Sequence, residues 1–158
     1  MELKKFKKVD MAEKTFWIVA IWYFINYLLI KSYIPGSSWR ITLLRMFGSS
    51  LGKGIVIKPG VRVKFPWKLK IGDFSWIGED VWIDNIDFVE IGSNCCISQG
   101  TYFCTGNHNF ASEAFDLISE PIIIKDKSWV GAKCIIGPGV IIKEKSFYKL
   151  GDIIKKVG

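Results

Sequence analysis

Residues 71–98 read IGDFSWIGEDVWIDNIDFVEIGSNCCIS, and within them an apolar residue followed by glycine recurs at Ile71-Gly72, Ile77-Gly78 and Ile91-Gly92. The same pair returns outside the stretch at Leu51-Gly52, Val130-Gly131 and Ile136-Gly137. Filling in steps of six gives Leu51, Ile57, Val63; Ile71, Ile77, Ile83; Ile91, Ile97, Phe103; and Ile124, Val130, Ile136, Ile142, all apolar. A helix repeating every 3.6 residues would not hold this phase, and simple alternation would not place glycine so regularly. Two positions before each anchor stand Ile55, Val61, Leu69, Ser75, Val81, Val89, Cys95, Thr101, Ile122, Ser128, Cys134 and Val140, which are aliphatic or small. One large and one smaller inward side chain per step suits a narrow prism.

Internal repeats decide the fold before local propensities do. Short β-forming steps joined by turns stack coil on coil, each covering the apolar edge of the last. Three steps make a coil of eighteen residues, and the anchors at 51, 71 and 91 add two residues per coil near Phe65-Pro66-Trp67 and Asn85-Ile86-Asp87. The pattern predicts an all-β parallel β-helix over 51–147, with glycine after the anchor relieving the backbone at the corners. Its hand is read as left by resemblance to folds in which six-residue faces close in threes, since ordinary parallel crossovers are right-handed.

Residues 1–50 do not keep this rhythm. Phe16 to Ile30 (FWIVAIWYFINYLLI) is uncharged but, at fifteen residues, shorter than the roughly 20 a membrane-spanning helix needs. It follows a basic segment, yet SYIPGSSW offers no small-residue cleavage site. Two readings stand: a helix lying in the membrane interface, with Trp17, Trp22, Tyr23 and Tyr27 at headgroup level, or a helix packed on its own protein or a sister subunit. Ser38 to Phe47 predicts a second short helix, with Ser37 or Ser38 at its N-cap, closing the open end of the first coil.

The chain of 158 residues suits one domain. Its net charge of +7 gathers at the two ends, at Lys4, Lys5, Lys7, Lys8 and Lys14 and at Lys143, Lys145, Lys149, Lys155 and Lys156. That placement argues against a nucleic-acid surface. Cys95, Cys96, Cys104 and Cys134 match neither a redox pair nor a zinc ribbon. They read as free thiols in a reducing compartment, giving an expectation of a cytoplasmic protein, peripheral at the inner face of the membrane. Cys95 and Cys134 occupy interior positions as small core residues.

The one large break in the rhythm is the loop 104–121, Cys104-Thr105-Gly106-Asn107-His108-Asn109-Phe110 and onward to Pro121. It carries the single histidine, and excursions from a regular scaffold are where functional residues concentrate. Thr105-Gly106-Asn107 reads as a tight turn that aims the imidazole. An imidazole can take a proton from a hydroxyl near neutrality.

The stretches WRITLLRMFG, FPWKLKIGDFSWIGEDVWIDN, IGSNCCISQGTYFCTGNHNF and PIIIKDKSWVGAKCIIGPGVII, spanning roughly residues 39 to 142, resemble the hexapeptide-repeat acyltransferases. Among these they look most like the colanic acid or exopolysaccharide biosynthesis acetyltransferases. The repeats alone are weak functional evidence, because nucleotidyltransferase tails and γ-class carbonic anhydrases share them. CTGNHNF followed by PIIIKDKSWVGA is far more specific. The resemblance implies a homotrimer with active sites between neighbouring prisms, acetyl-CoA as donor, no required metal, and a hydroxyl on a lipid-linked or nucleotide-linked sugar as acceptor. It places His108 on the catalytic base and Trp129, Gly131 and Ala132 along the pantetheine tunnel. Asn85, Asp84 and Asp87 fall where related enzymes meet the acceptor.

Rival readings are a thiol nucleophile at Cys104, a zinc site, which one histidine makes unattractive, and a non-catalytic trimeric scaffold. Ser98 and Gln99 face either an acceptor or a local turn. Trp67, Trp76 and Trp82 are expected in part between subunits or under the amino-terminal helix. After Ile142 the chain gives KEKSFYKLGDIIKKVG, in which Tyr148 and Ile154 keep the phase but the glycine pattern is lost. Residues 148–158 are therefore expected to be an atypical tail that leaves the last edge poorly covered and the enzyme truncated or weakly active.

Overall fold

A computed structural model describes residues 2–6 and 9–156. Lys7 and Lys8 of the basic segment, and the last two residues of the expected tail, lie outside the described residues. The coil is a three-sided parallel β-helix. One face stacks strands Ser50–Leu51, Leu69–Ile71, Val89–Ile91, Ile122–Ile124 and Ile141–Ile142. The second stacks Val56–Ile57, Trp76–Ile77, Cys96–Ile97, Trp129–Val130 and Phe147–Tyr148, and the third stacks Arg62–Val63, Trp82–Asp84, Tyr102–Cys104, Ile135–Ile136 and Ile153–Ile154. Anchor lies over anchor throughout, as in Ile71 on Ile91 and Ile83 on Phe103. The last two strands pair with the coil below, Phe147–Tyr148 on Trp129–Val130 and Ile153–Ile154 on Ile135–Ile136. The coil thus continues past the boundary at 147 and takes in most of the segment expected to be a tail.

The anchors from Ile57 to Ile142 and the residues two before them are buried in one continuous core. Polar members of the inner row are satisfied by the coil above. The Ser75 hydroxyl donates to the Gly92 carbonyl at 2.7 Å and accepts from the Cys95 N–H at 2.9 Å. The Thr101 hydroxyl donates to Gly131 O at 3.1 Å and that of Ser128 to Lys143 O at 2.9 Å. Each bond gives a buried group a partner, without which burial would cost about 1–3 kcal/mol.

The glycines after the anchors serve a purpose other than the expected one. Positive φ falls three residues after the anchor, at Gly54, Gly60 and Gly100 but also at Phe74, Asp80, Asn94, Lys127, Lys133 and Lys145. The glycine directly after the anchor instead lets the next coil approach. A Cβ on Gly78 would sit 2.6 Å from the Gln99 backbone nitrogen, and one on Gly72 the same distance from Ser93 N.

Two helices close the first coil. Helix α1 covers Phe16–Ile25 and runs into a π-helical turn over Asn26–Ile30, and α2 covers Ser38–Met46. Each open strand edge meets a side chain from this segment. Arg45 donates to the carbonyls of Leu51 and Gly52 at 3.0 and 2.7 Å. The Ser37 hydroxyl bonds Ile57 O and N at 3.0 and 3.1 Å. The Trp22 indole N–H is shared between Val63 O and Lys64 O, at 3.1 and 3.0 Å. Ser37 holds the N-cap position of α2 but makes no side-chain cap bond, because its hydroxyl is spent on the strand edge. The fully buried Arg40 ties the connection between the helices together, donating to the carbonyls of Ile30, Ser32, Ile34 and Gly36.

Candidate active site

The long insertion is an antiparallel hairpin rather than a tight turn. Strand Gly106–His108 pairs with Leu117–Ser119, His108 opposite Leu117. Its base is clamped to the preceding coil by the fully buried Thr105. The Thr105 hydroxyl donates to the Asp84 carbonyl at 3.1 Å and accepts from the Asp87 N–H at 3.0 Å. The Ser119 hydroxyl, from the returning strand, donates to the Asp87 carboxylate at 2.9 Å. The corner carrying Asp84, Asn85 and Asp87 is therefore the foundation of the hairpin that carries His108.

His108 is fixed on two sides. Its Nδ1 lies 2.8 Å from the Phe115 carbonyl oxygen. A carbonyl can only accept, so Nδ1 bears a hydrogen, and in the neutral ring the lone pair then sits on Nε2. The imidazole also lies flat on the Phe115 ring, with centroids 4.2 Å apart and planes 3° apart, while Phe6 approaches edge-on at 5.6 Å. Phe115 adopts φ +53°, a left-handed conformation unusual for a bulky side chain. It sends both the carbonyl and the ring to the same imidazole.

The other predicted site residues divide. Asn85 is fully buried, and its amide bonds the Phe65 backbone twice, accepting from N–H at 3.0 Å and donating to O at 2.7 Å. That corrects the acceptor role expected of it: the side chain has no surface or spare geometry to offer a ligand. Asp84 is part-exposed, pairing with Lys64 at 2.7 Å and accepting from the Tyr102 hydroxyl at 3.2 Å. Burial, then the neighbouring Cys104 and Asp84, raise the Tyr102 hydroxyl above the ordinary phenol range. Asp87 has both carboxylate oxygens engaged, by Phe88 N–H and Ser119. Sequence reasoning missed Lys64, Tyr102 and Phe115. The first two were within reach, because the strand register sets Asp84 opposite Cys104 and Lys64 one coil below.

Trp129 stands exposed on the second face, its indole N–H held by Ser98 Oγ at 2.9 Å and its ring near Phe147. Ser98 thus satisfies a local contact. The Gly131 N–H is committed to Tyr148 O at 2.9 Å, whereas the Ala132 N–H has no partner among the described residues. No hydrogen bond or ring contact among the described residues joins His108 to Trp129 within one chain. Cys104 donates its thiol to Gly106 O at 3.2 Å, as a structural residue would. Cys95 and Cys134 are buried, and burial pushes both thiols up. Trp67 sits under the amino-terminal segment, donating to Ala12 O at 2.7 Å.

No protein-family model matches the chain. Among solved structures, a hexapeptide-repeat-containing acetyltransferase from Vibrio cholerae O1 biovar eltor, complexed with acetyl coenzyme A, superposes with a TM-score of 0.76 at 23% identity. It covers 95% of this chain and 86% of its own. A maltose O-acetyltransferase from Clostridium difficile 630 gives a TM-score of 0.78 at 19% identity over 98% of this chain and 89% of its own. The coil with its inserted hairpin is therefore a hexapeptide-repeat β-helix of the kind found in acetyltransferases. In sequence, the chain is 43% identical over 104 residues to the "Putative colanic acid biosynthesis acetyltransferase WcaF" of Escherichia coli (strain K12). That match takes in 66% of this chain and 57% of WcaF, so the chain spans a little over half the length of this relative. In sequence and fold the chain is therefore similar to the hexapeptide-repeat acetyltransferases, a colanic acid biosynthesis member among them.

Proposed function

We propose that the protein transfers the acetyl group of acetyl-CoA to a hydroxyl of a sugar in a glycan or polysaccharide precursor, working as a homotrimer with active sites between neighbouring prisms. The observation that carries this reading is the fixed tautomer of His108, whose Nδ1–H is held by Phe115 and whose Nε2 is free to accept.

The acceptor hydroxyl gives its proton to His108 Nε2 as its oxygen bonds to the thioester carbonyl carbon. The tetrahedral intermediate collapses with loss of the CoA thiolate, which regains a proton, and no acyl-enzyme forms. The imidazolium that appears along the way is stabilised by the Phe115 carbonyl. Trp129 and Ala132 fit a role along the donor, through an exposed indole and a backbone N–H that has no partner among the described residues. Gly131 contributes its lack of a side chain, since its N–H is used within the coil. Asp84 and Asp87 meet the acceptor and Asn85 braces their corner.

Acetyl-CoA turnover against a panel of sugar acceptors tests the proposal. His108→Ala should lower the rate by about 10²–10⁴-fold, the usual worth of a general base, with particle size and circular dichroism unchanged. Activity that survives the substitution removes His108 from the role. Absence of both CoA binding and turnover in the wild type favours a non-catalytic scaffold.

A further inference from the structure

Helix α1 and its π-helical continuation are turned inside out relative to a soluble surface helix. The face laid on the coil carries Trp22 and Ile30, both fully buried, and Asn26, the one polar side chain between Phe16 and Ile30 apart from the tyrosines. The Asn26 amide oxygen points inward to the Val63 N–H at 3.4 Å. The opposite stripe, at helical spacing, is Trp17, Ile21, Phe24 and Leu28, exposed by 72%, 52%, 67% and 47%. A surface helix on a water-facing protein carries its polar residues there, and a contiguous apolar patch marks an interaction site.

The flanks indicate the partner. Lys14 precedes the stripe and Lys31 follows it, both exposed. Lys4 and Lys5 lie further along the same amino-terminal segment. Tyr23 and Tyr27 border the stripe, 45% and 70% exposed. An apolar stripe edged by aromatic hydroxyls and closed at both ends by lysine matches the layers of an anionic bilayer surface: hydrocarbon, interface, phosphate. No helix among the described residues is long and apolar enough to cross a membrane.

We propose that the outward face of α1 seats the protein on an anionic phospholipid surface, with Trp17, Ile21, Phe24 and Leu28 in the acyl boundary and Lys14 and Lys31 at the phosphates. The amino-terminal segment also touches the His108 hairpin, through Phe6 on the imidazole and the Glu2 N–H on the Glu113 carbonyl at 2.8 Å. Docking therefore sets the hairpin at a defined position relative to the lipid surface. This inference stands whether or not the protein transfers acetyl groups.

The test is co-sedimentation of the purified full chain with vesicles of phosphatidylcholine alone and of phosphatidylcholine mixed with phosphatidylglycerol. The wild type should bind the anionic vesicles and lose affinity with added salt. Trp17→Ser with Phe24→Ser should cut binding by about tenfold or more through lost apolar burial, leaving circular dichroism and particle size unchanged. Lys14→Gln and Lys31→Gln should each cut it by about fivefold, and only on anionic vesicles. A wild type that stays in solution with both vesicle types overturns the proposal. So does a Trp17/Phe24 variant that falls apart into smaller particles, which would assign the stripe to a sister subunit.

Discussion

His108 and Phe115 form a single unit: the imidazole rests on the Phe115 ring and gives Nδ1–H to the Phe115 carbonyl at 2.8 Å. The carbonyl sets the tautomer, the ring sets the plane, and the left-handed backbone at Phe115 lets one residue do both. Replacing the ring while keeping the carbonyl separates these effects. Phe115→Ala should lower kcat by about tenfold through loosened orientation, with KM for acetyl-CoA nearly unchanged. Steady-state kinetics check this, and a loss confined to KM would place Phe115 in donor binding instead.

The close approach of successive coils makes a second contrast. Gly78 faces the backbone of the next coil at 2.6 Å from its ideal Cβ, while Gly137, at the equivalent step near the end, meets nothing nearer than Ile154 O at 3.5 Å. Gly78→Ala should cost about 2–3 kcal/mol by overpacking against backbone. Gly137→Ala should be neutral, or stabilise by about 0.4–1 kcal/mol by restricting the unfolded chain. Urea midpoints measured side by side decide it, and equal losses at both positions would contradict the close-approach account.

These glycines also show how far the sequence could be read. The six-residue anchors translate directly into buried rows, because a coil leaves only one inward position of that size per step. The positive-φ corners were misplaced, because Asp, Asn, Lys and even Phe share them with glycine, so glycine alone does not mark them. Tyr148 and Ile154 kept the phase and proved to be in strands, yet the missing glycines made their segment resemble a tail. A terminal coil has no successor to admit, so it has less need of glycine. At the site, His108 was legible as the only histidine on the only long insertion. Phe115 was not, because its part comes from a backbone angle and a carbonyl, neither of which leaves a trace in residue type.

Asn85 illustrates the opposite error, a polar residue at a promising corner whose work is internal. Asn85→Ala strands the Phe65 N–H and carbonyl in a buried place and should cost about 2–4 kcal/mol, from the typical penalty for each unmade bond. A thermal melt should show this destabilisation. In the fraction that remains folded, KM for the acceptor should move no more than KM for acetyl-CoA. A selective rise in acceptor KM would restore the ligand-binding role.

The buried thiols give a pH signature. Burial raises Cys95 and Cys134, and burial with Cys104 and Asp84 raises Tyr102, so the folded chain holds these protons after an unfolded chain has released them. Folding stability then falls as pH rises, because the unfolded state binds fewer protons there. The contribution is fully present below the ordinary thiol pKa of about 8.5 and is lost progressively above it, with Tyr102 adding a further decline above about pH 10. Urea midpoints should therefore be flat with respect to these groups on the neutral side and drop on the alkaline side. Cys95→Ala with Cys134→Ala should lower the midpoint at neutral pH through lost packing but flatten the alkaline fall in its first part. An alkaline slope unchanged by the double substitution would show that the thiols do not govern it.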